Sequence, residues 1–155
     1  MVKWKQYRLH GLAISLAALA VGIWLLVNRW TPDEIENAQH FRQAMLEIRG
    51  AIAYANEQGG LIDPTGTEFL IGRYNAAAEQ AGKVTDPVLD KMHYKLVKIW
   101  HEAFLPSTNL YLRALKDQDR DLARYAGLLQ DDWVRWLQMN GQNLDIPDPL
   151  QTDSP

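Results

Sequence analysis

The side chains of this sequence that could bind a metal or move a proton are four histidines, His10, His40, His93 and His101, and nineteen carboxylates. Metal centres inside helical bundles draw ligands from Glu-x-x-His or His-x-x-x-His pairs, because residues three or four apart share a helix face. Glu36 and His40 are four apart and His93 and His101 eight apart, yet neither of those pairings occurs. The histidines therefore read as exposed or singly hydrogen-bonded groups, with His10 snorkelling at a membrane boundary, and no metal or other cofactor is expected.

The acids fare no better as a site. Asp117, Asp119 and Asp121 alternate like the opening of a calcium loop, but the sixth position is Leu122 and the twelfth is Leu128, where glycine and glutamate are needed. Together with Asp131 and Asp132 they read as a solvated helix face, with Arg120, Arg124 and Arg135 nearby for surface pairing. Ser15, Ser107 and Ser154 lack a nucleophile-elbow context, and Gly59-Gly60 is an isolated doublet and no phosphate loop. There is no cysteine, which removes disulfides, thiolate metal sites and thiol catalysis together. No catalytic set emerges, so the chain reads as a non-enzyme.

The elements that carry these residues begin with Gly11 to Val27, seventeen residues without a charge. As a helix this stretch covers ~25 Å, near the lower limit for crossing a bilayer. A basic leader precedes it (Lys3, Lys5, Arg8), and its end, Leu-Val-Asn-Arg-Trp, offers no small-x-small cleavage pattern. The expectation is a retained transmembrane anchor, with a cleaved signal as the alternative. Trp4 and Tyr7 on one side and Trp24 and Trp30 on the other suit the two aromatic belts at the interfaces. The excess of basic residues on the short side puts the N-terminus in the cytoplasm and the C-terminal domain outside, in the periplasm if the membrane is a bacterial inner membrane. Gly11, Ser15, Ala18 and Gly22, spaced four, three and four, form a small-residue stripe. Such a stripe suits close packing of another transmembrane helix, from a membrane protein partner or a second copy.

From Thr31 onward the chain carries twelve basic and nineteen acidic residues, a net −7. So acidic a domain is a poor partner for nucleic acid. Thr31-Pro32-Asp33-Glu34 predicts a helix start, and the helix runs to about Glu57. Its inward stripe is Phe41, Met45, Ile48, Ile52 and Ala55, with Ile35 and Ala38 above. Asp63-Pro64-Thr65-Gly66 reads as a turn, followed by a second helix over Thr67–Ala81. A third restarts at Thr85-Asp86-Pro87 and is broken or kinked by Pro106. From Ser107 the chain is helical again to Asn140-Gly141, with Asp117-Gln118-Asp119 either a turn or a charged face.

The expected fold is all-α: a single N-terminal transmembrane helix followed by an up-and-down bundle of four helices, or five if the last stretch breaks near Asp119. The division is a short basic segment over 1–10, an anchor over 11–30, a helical extracytoplasmic domain over 31–146 and a flexible tail over 147–155. Trp100, Trp133 and Trp136 are core candidates. Trp133 and Trp136, three apart on the last helix, double as a partner-binding anchor if the bundle leaves them uncovered. The functional expectation is a single-pass accessory or assembly subunit of a membrane complex that binds a protein partner. A membrane-anchored sensor of a small ligand or metal is the alternative.

Overall fold

The structure is a computed structural model that describes residues 30–59 and 62–148. The expected span over Gly11–Val27, its stripe of Gly11, Ser15, Ala18 and Gly22, the anchors Trp4, Tyr7 and Trp24, and His10 all lie outside the described residues. Trp30, at their edge, is half-buried. Among the described residues no helix is long and apolar enough to cross a membrane.

The described chain is all-helical, with about five helices and no strand. Helix α1 is Pro32–Glu57 and α2 is Pro64–Ala81. A short α3, Asp86–Met92, leads to α4, Leu96–Ile99, which passes through a π-helical turn at Trp100–Phe104 into α5, Leu105–Asp117, as one continuous rod. The last helix, α6, is Arg120–Asn140, followed by a 3-10 turn at Gly141–Asn143.

Local chemistry sets the boundaries. Pro32 and the acids Asp33 and Glu34 occupy the first turn of α1, where a missing N–H costs nothing and negative charge is favoured. The helix ends where Gly59 takes φ +60°, a conformation costly for residues with a Cβ. Asp63-Pro64 is the start of α2 and not a turn before it: the Asp63 carboxylate accepts from Gly66 N at 2.7 Å, and Pro64 sits in the first turn. The α5–α6 break falls at Gln118, which takes the left-handed φ of 54°, and Asp119 then caps α6 by accepting from Leu122 N at 2.9 Å. The charged run at 117–119 is therefore a turn, and the five-helix count holds.

The third helix departs from expectation at both ends. It breaks at His93, whose extended backbone (φ −170°, ψ 127°) ends α3, while its carbonyl accepts from Leu96 N at 2.8 Å. Pro106, expected to break or kink the helix, lies inside the rod. A proline ring clashes with the carbonyl four residues back in a regular helix. The widened turn just before it bonds Leu105 N to Trp100 O, five residues back, and lets the rod continue.

Consecutive rods pack side by side: α1 on α2, α2 on α5, and α5 on α6. The centre is aromatic. Trp100 and Phe104 stack at 4.1 Å, Trp133 meets Phe104 edge-on at 5.0 Å, and Phe41 lies 5.3 Å from Trp100. Helix α1 buries Ile35, Ala38, Phe41, Ala44, Ile48 and Ala51. Of the stripe expected for it, Met45, Ile52 and Ala55 are only half-buried. Cross-ties hold the α1 N-terminal end: Lys91 Nζ meets Glu34 Oε2 at 2.7 Å, and Asn37 donates to Lys83 O at 2.6 Å while accepting from Thr85 N at 3.0 Å.

Candidate functional site

Helices α1 and α6 are the two outer rods of this series, and they do not pack closely on each other. Between them lies a groove of about 740 Å³. Phe41, Met45, Leu46 and Ile52 line it from α1, Trp133, Val134 and Leu137 from α6, and Leu144 and Ile146 from the segment beyond. The half-burial of Met45 and Ile52 has its cause here: they sit one position round from the core stripe and form the groove wall. Leu46 at the rim is 56% exposed. The charged residues of the lining are Arg42 and Arg49, both from α1.

One end of the groove is formed by chain that leaves α6. After the 3-10 turn, residues 144–148 run without helix. Asp145 N donates to Met92 O at 3.0 Å, Arg42 Nη2 reaches Ile146 O at 3.5 Å, and Pro147 is buried. The tail expected to be flexible from 147 thus begins with a docked proline, and residues 149–155 lie outside the described chain.

At the opposite end of the bundle, a second cavity of about 640 Å³ opens between the α1 C-terminus, the α2 N-terminal half, the α5 C-terminus and the α6 N-terminal half. Ile52 and Asn56 line both spaces. Its polar lining centres on Tyr74, Tyr111, Gln130 and Asp131. The Tyr74 hydroxyl donates to Gln130 Oε1 at 3.2 Å, and the two tyrosine rings stack at 5.2 Å. Burial raises the Tyr74 phenol well above its ordinary range, the neighbouring Tyr111 adds to this, and the Gln130 hydrogen bond opposes it. Burial also raises Tyr111, with the Asp131 carboxylate adding to it. Such phenols stay neutral and serve as hydrogen-bond donors and acceptors, not as bases.

The residues singled out from sequence spread across several places. Trp133 is 1% exposed and belongs to the aromatic core, reaching the surface only as part of the groove lining. Trp136 stacks on Trp133 at 5.9 Å and meets His93 edge-on at 5.4 Å, so it is half-buried. The π-turn aromatics cover Trp133, and His93 covers part of Trp136. His40 Nδ1 lies 2.7 Å from Gln80 Oε1 and His101 Nε2 2.7 Å from Asp86 Oδ1, while His93 packs between Tyr94 and Trp136. Among the described residues no three histidines or carboxylates come together as a metal ligand set.

Sequence reasoning missed Leu46, Val134, Arg42 and Arg49. The signal available was the breadth of the apolar arc on α1, where Met45, Leu46 and Ile52 exceed what one core-facing stripe can bury. Comparisons with known protein families, curated proteins and solved structures returned no match.

Proposed function

We propose that this protein is a non-enzymatic, single-pass membrane protein whose helical domain lies outside the cytoplasm and binds a protein partner, as an accessory or assembly subunit of a membrane complex. The observation that carries this reading is the open α1–α6 seam. A continuous apolar groove of about 740 Å³ on a domain of this size is the kind of surface that partners cover. The charge-free Gly11–Val27 segment supports the anchor, and its small-residue stripe supports a second contact within the bilayer. Tethering raises the effective concentration of the groove at a neighbouring protein, so a weak contact there suffices.

The test is co-purification of the full chain from its native membrane, with separate variants for the two contacts. Leu46→Asp is expected to deplete the partner through the groove, and Gly22→Leu or Gly11→Leu through the span. Full recovery of the complex with Leu46→Asp overturns the groove, and full recovery with both glycine variants overturns the span.

A second reading, a membrane-anchored sensor that signals through a partner, draws support from the Tyr74–Tyr111–Gln130 cavity, which has the size and polar fittings of a small-ligand pocket. On that reading the thermal midpoint of the full chain rises with a bound small molecule, or with zinc, nickel, copper or cobalt for a metal sensor. The loss of that rise in Gln130→Leu ties a small-molecule effect to the cavity.

A further inference from the structure

The charge lining the groove is opposite in sign to that of the domain around it. From Thr31 onward the chain is acidic, twelve basic residues against nineteen acidic, yet among the described residues no carboxylate lines the α1–α6 groove. Its charged residues are Arg42 and Arg49. Among the described residues Arg49 has no carboxylate partner, and Arg42 makes only its long contact with Ile146 O. The two arginines are seven residues apart on α1, which places them on one face, two turns and ~10.5 Å apart.

From Phe41 to Asn56 the α1 wall of the groove runs for ~22 Å, about four helical turns. Both long walls are helices, with the segment beyond α6 at one end. That shape accepts a helix laid lengthwise, completing the seam that α1 and α6 leave unfilled.

We infer that the α1–α6 groove binds an amphipathic helix of about four turns from a protein partner, bearing two carboxylates seven residues apart that pair with Arg42 and Arg49. This rests on the proposed partner-binding function and specifies its occupant. The apolar stripe of the incoming helix covers Leu46, Val134 and Leu137, while the arginines select acidic over basic helices and set the axial register. Other occupants fit the charges less well. The chain's own Gly11–Val27 segment has no carboxylate, and none precedes Asp33, so it cannot pair with either arginine. A second copy docked about a two-fold axis would bring like arginine pairs together along α1. An acyl chain carries no charge for either arginine to pair with.

The experiment displays a library of eighteen-residue helical peptides to the full chain held in lipid nanodiscs. Every peptide carries the same leucine stripe, and each polar position varies among Glu, Lys and Gln. Enrichment of glutamate at two positions seven apart is expected. Replacing both arginines, Arg42→Glu with Arg49→Glu, should switch the enriched residue to lysine at those positions. Leu46→Asp should abolish enrichment altogether. Enrichment with no preference between Glu and Lys, or one unchanged in the double variant, overturns the acidic occupant. No enrichment above the Leu46→Asp background overturns helix docking. A benzophenone cross-linker at Leu46 covers the remaining occupants in native membrane: attachment to lipid, to a second copy or to residues 11–27 overturns the inference, and attachment to an acidic helical segment supports it.

Failure here is separable from failure of the parent reading. Co-purification lost with Leu46→Asp but kept in the double arginine variant leaves the groove as a partner site and removes its acidic occupant. Co-purification kept in both variants removes the two together.

Discussion

The seam between α1 and α2 and the gap between α1 and α6 share one helix and differ in what that helix offers. Towards the core, α1 places small residues between large ones, with Ala38, Ala44 and Ala51 at most 1% exposed. The neighbouring α2 buries Ala77 and Ala81 in the same way. Small residues let backbones approach until side chains interdigitate at crystal-like density. On the other side α1 presents Met45, Leu46 and Ile52, and α6 presents Val134 and Leu137, large groups that line the groove and outweigh its small residues, Ala53 and Gly141. Bulky side chains on both walls hold α1 and α6 apart, and the space between them stays unfilled by the fold. The closed seam is buried surface that the fold uses. The open one holds apolar surface that the fold itself does not use.

The largest test of that contrast lies in the closed centre. Trp100, 1% exposed, touches Phe41, Phe104 and Trp133. Trp100→Ala is expected to lower the unfolding free energy by about 3–5 kcal/mol in denaturant titration. A loss under 1 kcal/mol would mean that the aromatic cluster is not what holds α1, α5 and α6 together. Next in size is Gly66→Ala in α2. A Cβ built there meets the Tyr54 hydroxyl at 2.5 Å and Ile62 at 3.0 Å, and Tyr54 is itself held by Phe69 at 4.6 Å. Although alanine favours helix, overpacking dominates and the expected cost is about 1–3 kcal/mol. A rise in thermal midpoint would show that the α1–α2 seam is looser than its geometry.

The parts of this contrast that the sequence reveals are those with local causes. Pro32, Gly59 and Asp119 mark boundaries through their own backbone chemistry, and the three-four spacing of α6 follows from burial of one face. Asp63-Pro64 serves turns and helix starts alike, and the bond from Gly66 N to the Asp63 carboxylate decides for the helix. Pro106 predicts a break or a kink, and the π-turn that accommodates it, with Leu105 N bonded to Trp100 O, has no signature along the chain. The groove was hidden for a related reason. Met45 and Ile52 satisfy the helical period as well as true core residues do, and nothing along the chain says that α6 stands off from α1. Trp133 and Trp136 drew attention by size, while the exposed apolar surface belongs to smaller neighbours such as Leu46.

Alkaline pH probes the end of the bundle where the tyrosines sit. Tyr74 has an ordinary pKa of 10.0, and the fold raises both it and Tyr111 by burial. The unfolded chain therefore loses these phenolic protons first. Their contribution to stability is complete below about pH 10 and declines as pH rises above it. Thermal midpoints should fall more steeply over that range in the wild type than in Tyr74→Phe with Tyr111→Phe. Parallel pH curves for the two would place the alkaline weakness elsewhere. The α1–α6 groove, which has no tyrosine in its lining, should contribute nothing to the difference.

A smaller effect of opposite sign is expected within the closed region. Thr108, 1% exposed, has a hydroxyl with no hydrogen-bond partner among the described residues, and the neighbouring Ser107 Oγ donates to Phe104 O at 2.9 Å. Thr108→Val removes the unpaired oxygen at nearly constant volume, so a gain of up to about 1 kcal/mol is expected by denaturant titration. A loss of similar size would show that the hydroxyl has a partner after all.

The smallest expected effect discriminates most sharply between the two seams. Leu46 is as apolar as the buried Leu89 but 56% exposed, so its contacts within the domain are few. Leu46→Asp should leave the unfolding free energy within about 0.5 kcal/mol of wild type, even though it is expected to deplete the partner. A core leucine cannot behave this way, because burying an unpaired carboxylate would unfold the domain before binding could be measured. A stability loss above 2 kcal/mol would place Leu46 in the core, close the seam and remove the groove. Unchanged stability with the partner gone assigns this apolar surface to another molecule.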